Sequence, residues 1–404
     1  MAARIAFYAP MKPPDHAIAS GDREIARLMA SALEAAGFEV EIASRFISYQ
    51  KRPDAGRLRT LEDEGEAEAA RIIEDVRAGR RAAPDLWFTY HPYCKAPDRI
   101  GPQVARALSI PYVTAEACRT RQGSGADWES GRMAVQEAVR LADINFCLKP
   151  SDEAYLRSIL PDMKSTVALM PFLDADAIRA DATSIDPTPF FARQAPLIVA
   201  VGMMRPGAKT QSYRLLAESL SDLADRPWNL AVIGDGPERG NVEAMFGFAS
   251  KEVPVGGARS AAGGTPPWPA KGRIRFTGAL PHADVLGWMR AADLLAWPGI
   301  GEAIGMVYLE AAACRLPVAA CDVANVATVV SDGETGLLAG QAETAAYREV
   351  LSRLLSDEAL RRRLGDGGSE KTGRDHGIGG AAATLKTAIE PLLRRSMRPA
   401  ALAR

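Results

Sequence analysis

The sequence predicts an α/β protein made of two doubly wound parallel-sheet domains in tandem, facing each other across a cleft. Three observations predict it. Short β-prone runs alternate with helical patterns twice over, which means βαβ units and parallel sheets. A stretch rich in Asp, Ala and Pro at 171–196 separates the two series. The length, 404 residues, exceeds one ordinary hydrophobic core.

In the first series, strands are expected at 5–9, 40–43, 86–90, 112–115, 144–148 and 167–170, with a helix over 23–36 closed by Gly37. The second series has strands at 197–201, 230–233, 274–276, 294–297, 318–320 and 335–338. Its helices are expected at 213–223, 285–291 and 306–314, with more to about 364. The domains are placed at 1–175 and 190–375, the linker at 171–196, and a C-terminal helix at about 380–395 is expected to pack back on the first domain. Residues 255–272 hold too much Gly, Ala and Pro for a regular element and read as a surface insertion. A helix over 61–79, acidic at its start and basic at its end, reads as a solvated face that complements its own dipole.

Composition excludes several classes. A net charge of −1 argues against a nucleic-acid partner, which would need a broad basic surface. No apolar run reaches the roughly 20 residues that span a bilayer. The N-terminus runs into a strand without the apolar region of a signal peptide. Five cysteines, with no Cys-x-x-Cys pair and no His at ligand spacing, predict reduced thiols in a cytoplasmic compartment. The basic end, 394–404, suggests at most a weak peripheral contact with anionic lipid; a solvated tail is the stronger reading.

The most informative segment is 297–318, WPGIGEAIGMVYLEAAACRLPV. Trp297 and Pro298 end an apolar strand, Gly301 and Gly305 loosen the loop, and a helix-forming run follows. Glu302 therefore falls in the loop and Glu310 in the helix. The helix start offers the unpaired N–H groups of Gly305, Met306 and Val307 to a diphosphate. Glu310 can accept hydrogen bonds from a ribose, and Glu302 can reach sugar hydroxyls. Upstream, VGMMRPGAK at 201–209 follows the first strand of the second domain and brings Arg205 and Lys209 to the cleft, where cations neutralise a diphosphate. VIGDGP at 232–237 ends a strand in a tight turn, and 273–298 supplies a strand, a helix and the strand leading to Glu302.

The order of these pieces resembles the second domain of the retaining GT-B glycosyltransferases of family four, the glycosyl transferases group 1. The resemblance covers essentially the whole second domain. In the first domain, 20–44 resembles the family's opening glycine loop, helix and strand, which puts Gly21 against the donor phosphates. Residues 84–91, PDLWFTYH, resemble the strand whose terminal histidine, here His91, faces the reacting sugar, and 167–174 resembles the exit from the domain. His16 is a weaker candidate on the acceptor side, whose pocket would be lined by loops such as 13–21 and 116–128; His282 and His376 read as surface residues. The chain departs from the family at Met203, where an arginine usually follows the glycine. It departs also at Arg315 and at 322–326, which lack the usual glycines.

The resemblance implies two Rossmann-like domains and transfer of a hexose-type sugar, with retention, from a nucleoside-diphosphate donor to a lipid, saccharide or small-molecule acceptor. The sugar nucleotide is then a substrate, and no separate cofactor is expected. Nor is a metal, because no paired Asp motif would hold Mg²⁺ on the diphosphate. Glu302 and His91 would orient the sugar, while Arg205, Lys209 and the helix start would take the charge of the leaving group. A sugar-nucleotide epimerase or hydrolase remains the alternative. A nicotinamide oxidoreductase would need a Gly-x-Gly-x-x-Gly turn that neither first strand supplies.

Overall fold

The computed structural model describes residues 2–18, 20–118, 128–191, 195–247 and 272–396. The chain divides into two compact units: unit 1 is Met1–Phe172 with His376–Arg404, and unit 2 is Leu173–Asp375. Most of the expected acceptor-side loop 116–128 (119–127), the insertion expected at 255–272 up to residue 271, and the basic end from 397 lie outside the described residues.

Unit 1 runs β1 (Arg4–Tyr8), α1 (Gly21–Ala35), β2 (Glu39–Ile42), α2 (Ala55–Arg77), β3 (Leu86–Tyr90), α3 (Gly101–Leu108), β4 (Tyr112–Ala115), α4 (Glu129–Leu141), β5 (Ile144–Cys147), α5 (Pro150–Arg157) and β6 (Thr166–Ala168). The strands pair in parallel in the order β2-β1-β3-β4-β5-β6. Every residue of β3, β4 and β5 is buried, as both faces of a helix-covered parallel sheet require. The order reverses between β1 and β3, and a crevice opens at the carboxyl ends of such strands. Ser20 caps α1, its hydroxyl accepting from Arg23 N at 3.2 Å.

The acidic helix starts earlier than its charge pattern suggests. Asp54 caps α2 through Arg57 N, so no acidic residue lies in its first turn. Its carboxylates instead pair sideways: Glu62 with Arg99, and Glu68 and Asp75 with Arg71.

Unit 2 runs α6 (Ala175–Asp181), β7 (Leu197–Val201), α7 (Ala208–Ser221), β8 (Asn229–Ile233), α8 (Arg239–Met245), β9 (Ile274–Gly278), α9 (His282–Ala291), β10 (Leu294–Ala296), α10 (Met306–Ala313), β11 (Val318–Cys321), β12 (Gly336–Ala339), α11 (Thr344–Ser356) and α12 (Glu358–Asp375). Its parallel strands take the order β12-β11-β10-β7-β8-β9, reversing between β7 and β10. The Asp- and Ala-rich stretch expected as a linker carries structure of its own. Asp174 caps α6 through Asp176 N and Ala177 N, and α6 packs on α9 and α10 as part of unit 2.

The chain returns to unit 1 as α13 (Ile378–Ser396), which packs along α1. Its buried residues Ala381, Ala382, Leu385, Ile389 and Leu393 form one apolar stripe at helical spacing. His376, expected at the surface, is 1% exposed, and its Nδ1 lies 2.7 Å from Pro171 O. It fixes the re-entry of the chain into unit 1, a contact 205 residues long in sequence. Among the described residues, no helix is long and apolar enough to cross a membrane.

Candidate active site

In unit 2 the loops after β7 and β10 meet at the switch point. Gly202 has no room for a side chain, because a Cβ there would lie 2.8 Å from the ring of the buried Trp297. Three further bonds lock these loops. The Tyr213 hydroxyl donates to Gly202 O at 2.6 Å, that of Tyr308 donates to Trp297 O at 3.0 Å, and Ile300 N donates to Ser212 Oγ at 3.1 Å.

This frame brings together two of the expected site residues. Lys209, in the first turn of α7 rather than in the loop, places Nζ 2.7 Å from Glu302 Oε2, which also accepts from Trp297 Nε1 at 3.3 Å. The ammonium lies 5.2 Å from the centre of the Trp297 ring, a cation–π distance. The side chains are 29% and 16% exposed, so the pair is reachable from solvent. Arg205 is exposed, its carbonyl accepting from Thr210 Oγ1 at 2.7 Å, and Met203 beside it is exposed too.

Gly305 caps the start of α10 with φ 84°, in the left-handed region that glycine tolerates. The first-turn N–H groups of Gly305, Met306 and Val307 have no partners within the helix, as at any helix start. Glu310 sits in the second turn, its Oε1 3.1 Å from His282 Nε2 at the start of α9. His282 is thus exposed, as expected, but engaged with a candidate ribose ligand.

In unit 1, His91 follows β3 with φ 55° and is 14% exposed. Its Nε2 lies 3.3 Å from Cys118 Sγ, and its Nδ1 lies 3.5 Å from Asp22 Oδ1. Burial works against the imidazolium, but Glu116, Cys118 and Asp22 outweigh it and hold His91 well above the usual histidine range. Asp22 is pushed up by burial yet ends below its ordinary value, because the charged His91 ring faces it at 3.5 Å and attracts it.

Behind His91 lies a buried charge cluster that the sequence did not single out. Glu116, after β4 with φ 56°, accepts from the Tyr90 hydroxyl at 2.8 Å and from Lys149 Nζ at 2.5 Å. Lys149 also pairs with Asp152 at 2.8 Å. Burial opposes the charge on Glu116, but His91 and Lys149 bring its carboxyl below the usual range. Lys149 is likewise raised against burial by Glu116 and Asp152, whereas burial wins at Asp152 and pushes it up to about 6. Gly21 is the exposed first residue of α1. His16 is half-buried in the loop before it, its Nδ1 accepting from Ile18 N at 3.1 Å.

The signal for this cluster was present. Glu116 and Lys149 each follow a wholly buried strand, where a charge needs a reason. Among the described residues, no group of three or more His, Cys, Asp or Glu side chains could hold a metal ion.

Residues 195–357 match the family described as glycosyl transferases group 1. The D-inositol 3-phosphate glycosyltransferase of Frankia alni is 25% identical over 426 residues, covering 98% of this chain and 99% of that protein. Residues 195–357 are a group 1 glycosyltransferase domain, and the chain is a glycosyltransferase. The enzyme of the same name from Streptomyces bingchenggensis is 35% identical to this glycosyltransferase, over 30% of this chain and 26% of its own. Solved structures agree on the GT-B fold. Sucrose-phosphate synthase from Thermosynechococcus elongatus superposes with a TM-score of 0.69 at 18% identity, covering 97% of this chain and all of that one. Anabaena HepE, in complex with UDP and glucose, does so with a TM-score of 0.63 at 14% identity, over 95% and 98%.

Proposed function

We propose that this glycosyltransferase moves a hexose-type sugar, with retention of anomeric configuration, from a nucleoside-diphosphate donor to a lipid, saccharide or small-molecule acceptor. One observation carries the reading: the Lys209–Glu302 pair lies between the ends of β7 and β10, where the strand order reverses, close in sequence to the start of α10. Doubly wound sheets take nucleotides at such points, and helix starts take phosphates.

In this reading the diphosphate displaces Glu302 as the partner of Lys209. Lys209, Arg205 and the N–H groups of Gly305, Met306 and Val307 then stabilise the charge that grows on the departing diphosphate. Glu302, released from the lysine, turns to the sugar hydroxyls and to the positive charge developing at the anomeric carbon. Glu310 accepts from the ribose, which does not change during reaction. His91 serves the transferred sugar as a cationic hydrogen-bond donor, Gly21 lies against the donor phosphates, and His16 belongs to the acceptor side. Neither cofactor nor metal is invoked, since protein cations supply the positive charge.

The names of similar proteins give the order of trial. HepE was solved with UDP and glucose, so a UDP-hexose is tried first as donor. The curated relatives are named for D-inositol 3-phosphate, so that acceptor is tried first. Thermal shift against UDP, GDP and ADP sugars identifies the donor, because a ligand at a hundred times its Kd adds about 2.7 kcal/mol. NMR of the anomeric proton then reads the configuration of the product. Donor consumed equally fast without acceptor, yielding free sugar or an epimer, would favour the epimerase or hydrolase alternative.

The two glutamates divide the work, and their variants should differ in kind. Glu302→Gln is expected to lower kcat with modest change in donor affinity, and Glu310→Gln to weaken sugar nucleotide and bare nucleoside diphosphate alike. Equal loss of nucleoside-diphosphate affinity in both variants would sink that division.

A further inference from the structure

Three of the five cysteines are chemically quiet. Burial pushes the thiols of Cys147, Cys314 and Cys321 up to about 12. Cys94 is buried as well. Cys118 differs in its neighbours. It is half-buried, its backbone N donates to Pro92 O at 3.4 Å, and its Sγ lies 3.3 Å from His91 Nε2. The opposite ring nitrogen of His91 is buried, has no hydrogen-bond partner, and points toward Asp22 at 3.5 Å.

The three groups are held by independent parts of unit 1. Asp22 stands in the first turn of α1 under the Ser20 cap. His91 is fixed by its N–H to Ala115 O at 2.8 Å and by stacking on Tyr93, with centroids 5.1 Å apart. Cys118 follows Glu116, itself pinned by Tyr90 and Lys149. Thiol, imidazole and carboxylate thus form the order of a nucleophile, its base and the group that orients the base. The surrounding acids favour a charged imidazole.

We propose that Cys118 is a modification site, a thiol activated by His91 and Asp22 for attack on soft electrophiles and on the disulfides of low-molecular-weight thiols. With a disulfide, Sγ bonds to one sulfur and the S–S bond breaks. The departing thiolate takes up the proton that left Cys118. Cys118 is oxidised to a mixed disulfide and one thiol is released by reduction, so the disulfide is the only oxidant needed. With iodoacetamide, an S–C bond forms, the C–I bond breaks and iodide leaves, while the thiol proton passes through His91 to solvent. Either adduct occupies the space beside His91 Nε2, so modification removes His91 from sugar transfer. That consequence rests on the transferase reading; the reactivity of the thiol does not.

The test uses the whole chain with limiting iodoacetamide and mass mapping of each cysteine. Cys118 is expected to react roughly tenfold or more faster than Cys314, the other half-buried thiol. His91→Gln and Asp22→Asn should each slow Cys118 while leaving Cys314 unchanged. Asp22→Asn, on a partly exposed helix start, answers the question if His91→Gln fails to fold. Labelling of Cys118 no faster than of Cys314, or unslowed in the folded variants, overturns the proposal. In a second arm, glutathione disulfide should abolish transfer by the wild type, dithiothreitol should restore it, and Cys118→Ser should escape the inhibition. A mixed disulfide at Cys118 with transfer intact overturns the link to His91.

Discussion

The two units carry charge at the carboxyl ends of their strands in opposite ways. Unit 2 holds a partly exposed ion pair, Lys209–Glu302, whose lysine leans on the ring of Trp297. Unit 1 holds a buried set, Glu116, Lys149 and Asp152, in which each charge answers more than one neighbour. An ion pair that solvent reaches contributes modestly to stability and exchanges its partner cheaply, while a buried set cannot lose a member without stranding the rest. The first suits a site that must admit a charged ligand, and the second suits a fixed background that sets the charge of His91.

Lys149→Met tests that contrast most severely. It leaves Glu116 and Asp152 buried without their cation and is expected to cost about 3–5 kcal/mol in chemical denaturation. Lys209→Ala should cost less than about 1 kcal/mol in the same measurement. Equal losses would break the comparison.

In ligand binding the ranking should invert. Lys209→Ala removes a charge-assisted bond to the diphosphate, worth roughly 1.5–3 kcal/mol, so donor affinity by calorimetry should fall about tenfold or more. Unchanged affinity would remove the phosphate role from this residue.

A smaller effect is expected at His282, which holds Glu310 in place through one bond of 3.1 Å. His282→Ala should weaken nucleoside diphosphate by about 0.5–1.5 kcal/mol and leave pyrophosphate affinity alone. His282→Gln should recover part of the loss, and equal weakening of both ligands would show that the contact does not serve the ribose.

The finest test reads pH. Because the folded-state pKa of His91 is raised, its contribution to stability is fully present below the unfolded value of about 6.5. It is lost as pH rises through the higher folded value. The stability gap between wild type and His91→Gln, measured by denaturant titration, should therefore be flat in mild acid and narrow on the alkaline side. A gap that widens with alkali would mean that the imidazole is held neutral.

What could be read from the chain follows how local each feature is. The strands were legible because parallel sheets covered on both faces need continuous apolar runs, as in Leu86–Tyr90 and Tyr112–Ala115. Glu302 and Glu310 were legible because one loop and one helix carry both. Their partners were not. Lys209 meets Glu302 across 93 residues, and Lys149 meets Glu116 across 33, distances bridged only by strand order and register. The same cause hid His376, whose carbonyl partner belongs to a part of the chain made long before it. The start of α2 is hidden for a local reason, since the Asp54 cap precedes the acidic run that marks the helix in the sequence.

The return of α13 to α1 makes unit 1 discontinuous, with the whole of unit 2 set between its two pieces. During synthesis, therefore, residues up to Phe172 emerge well before the helix that completes their unit. Until Leu385, Ile389 and Leu393 arrive, the face of α1 that they cover has only water or a chaperone to meet. A stop codon near residue 376 would leave unit 2 whole while harming unit 1, which precedes it in the chain. To express unit 1 alone, residues up to Phe172 would have to be joined directly to those from His376, a splice that the Pro171–His376 contact already brings within reach.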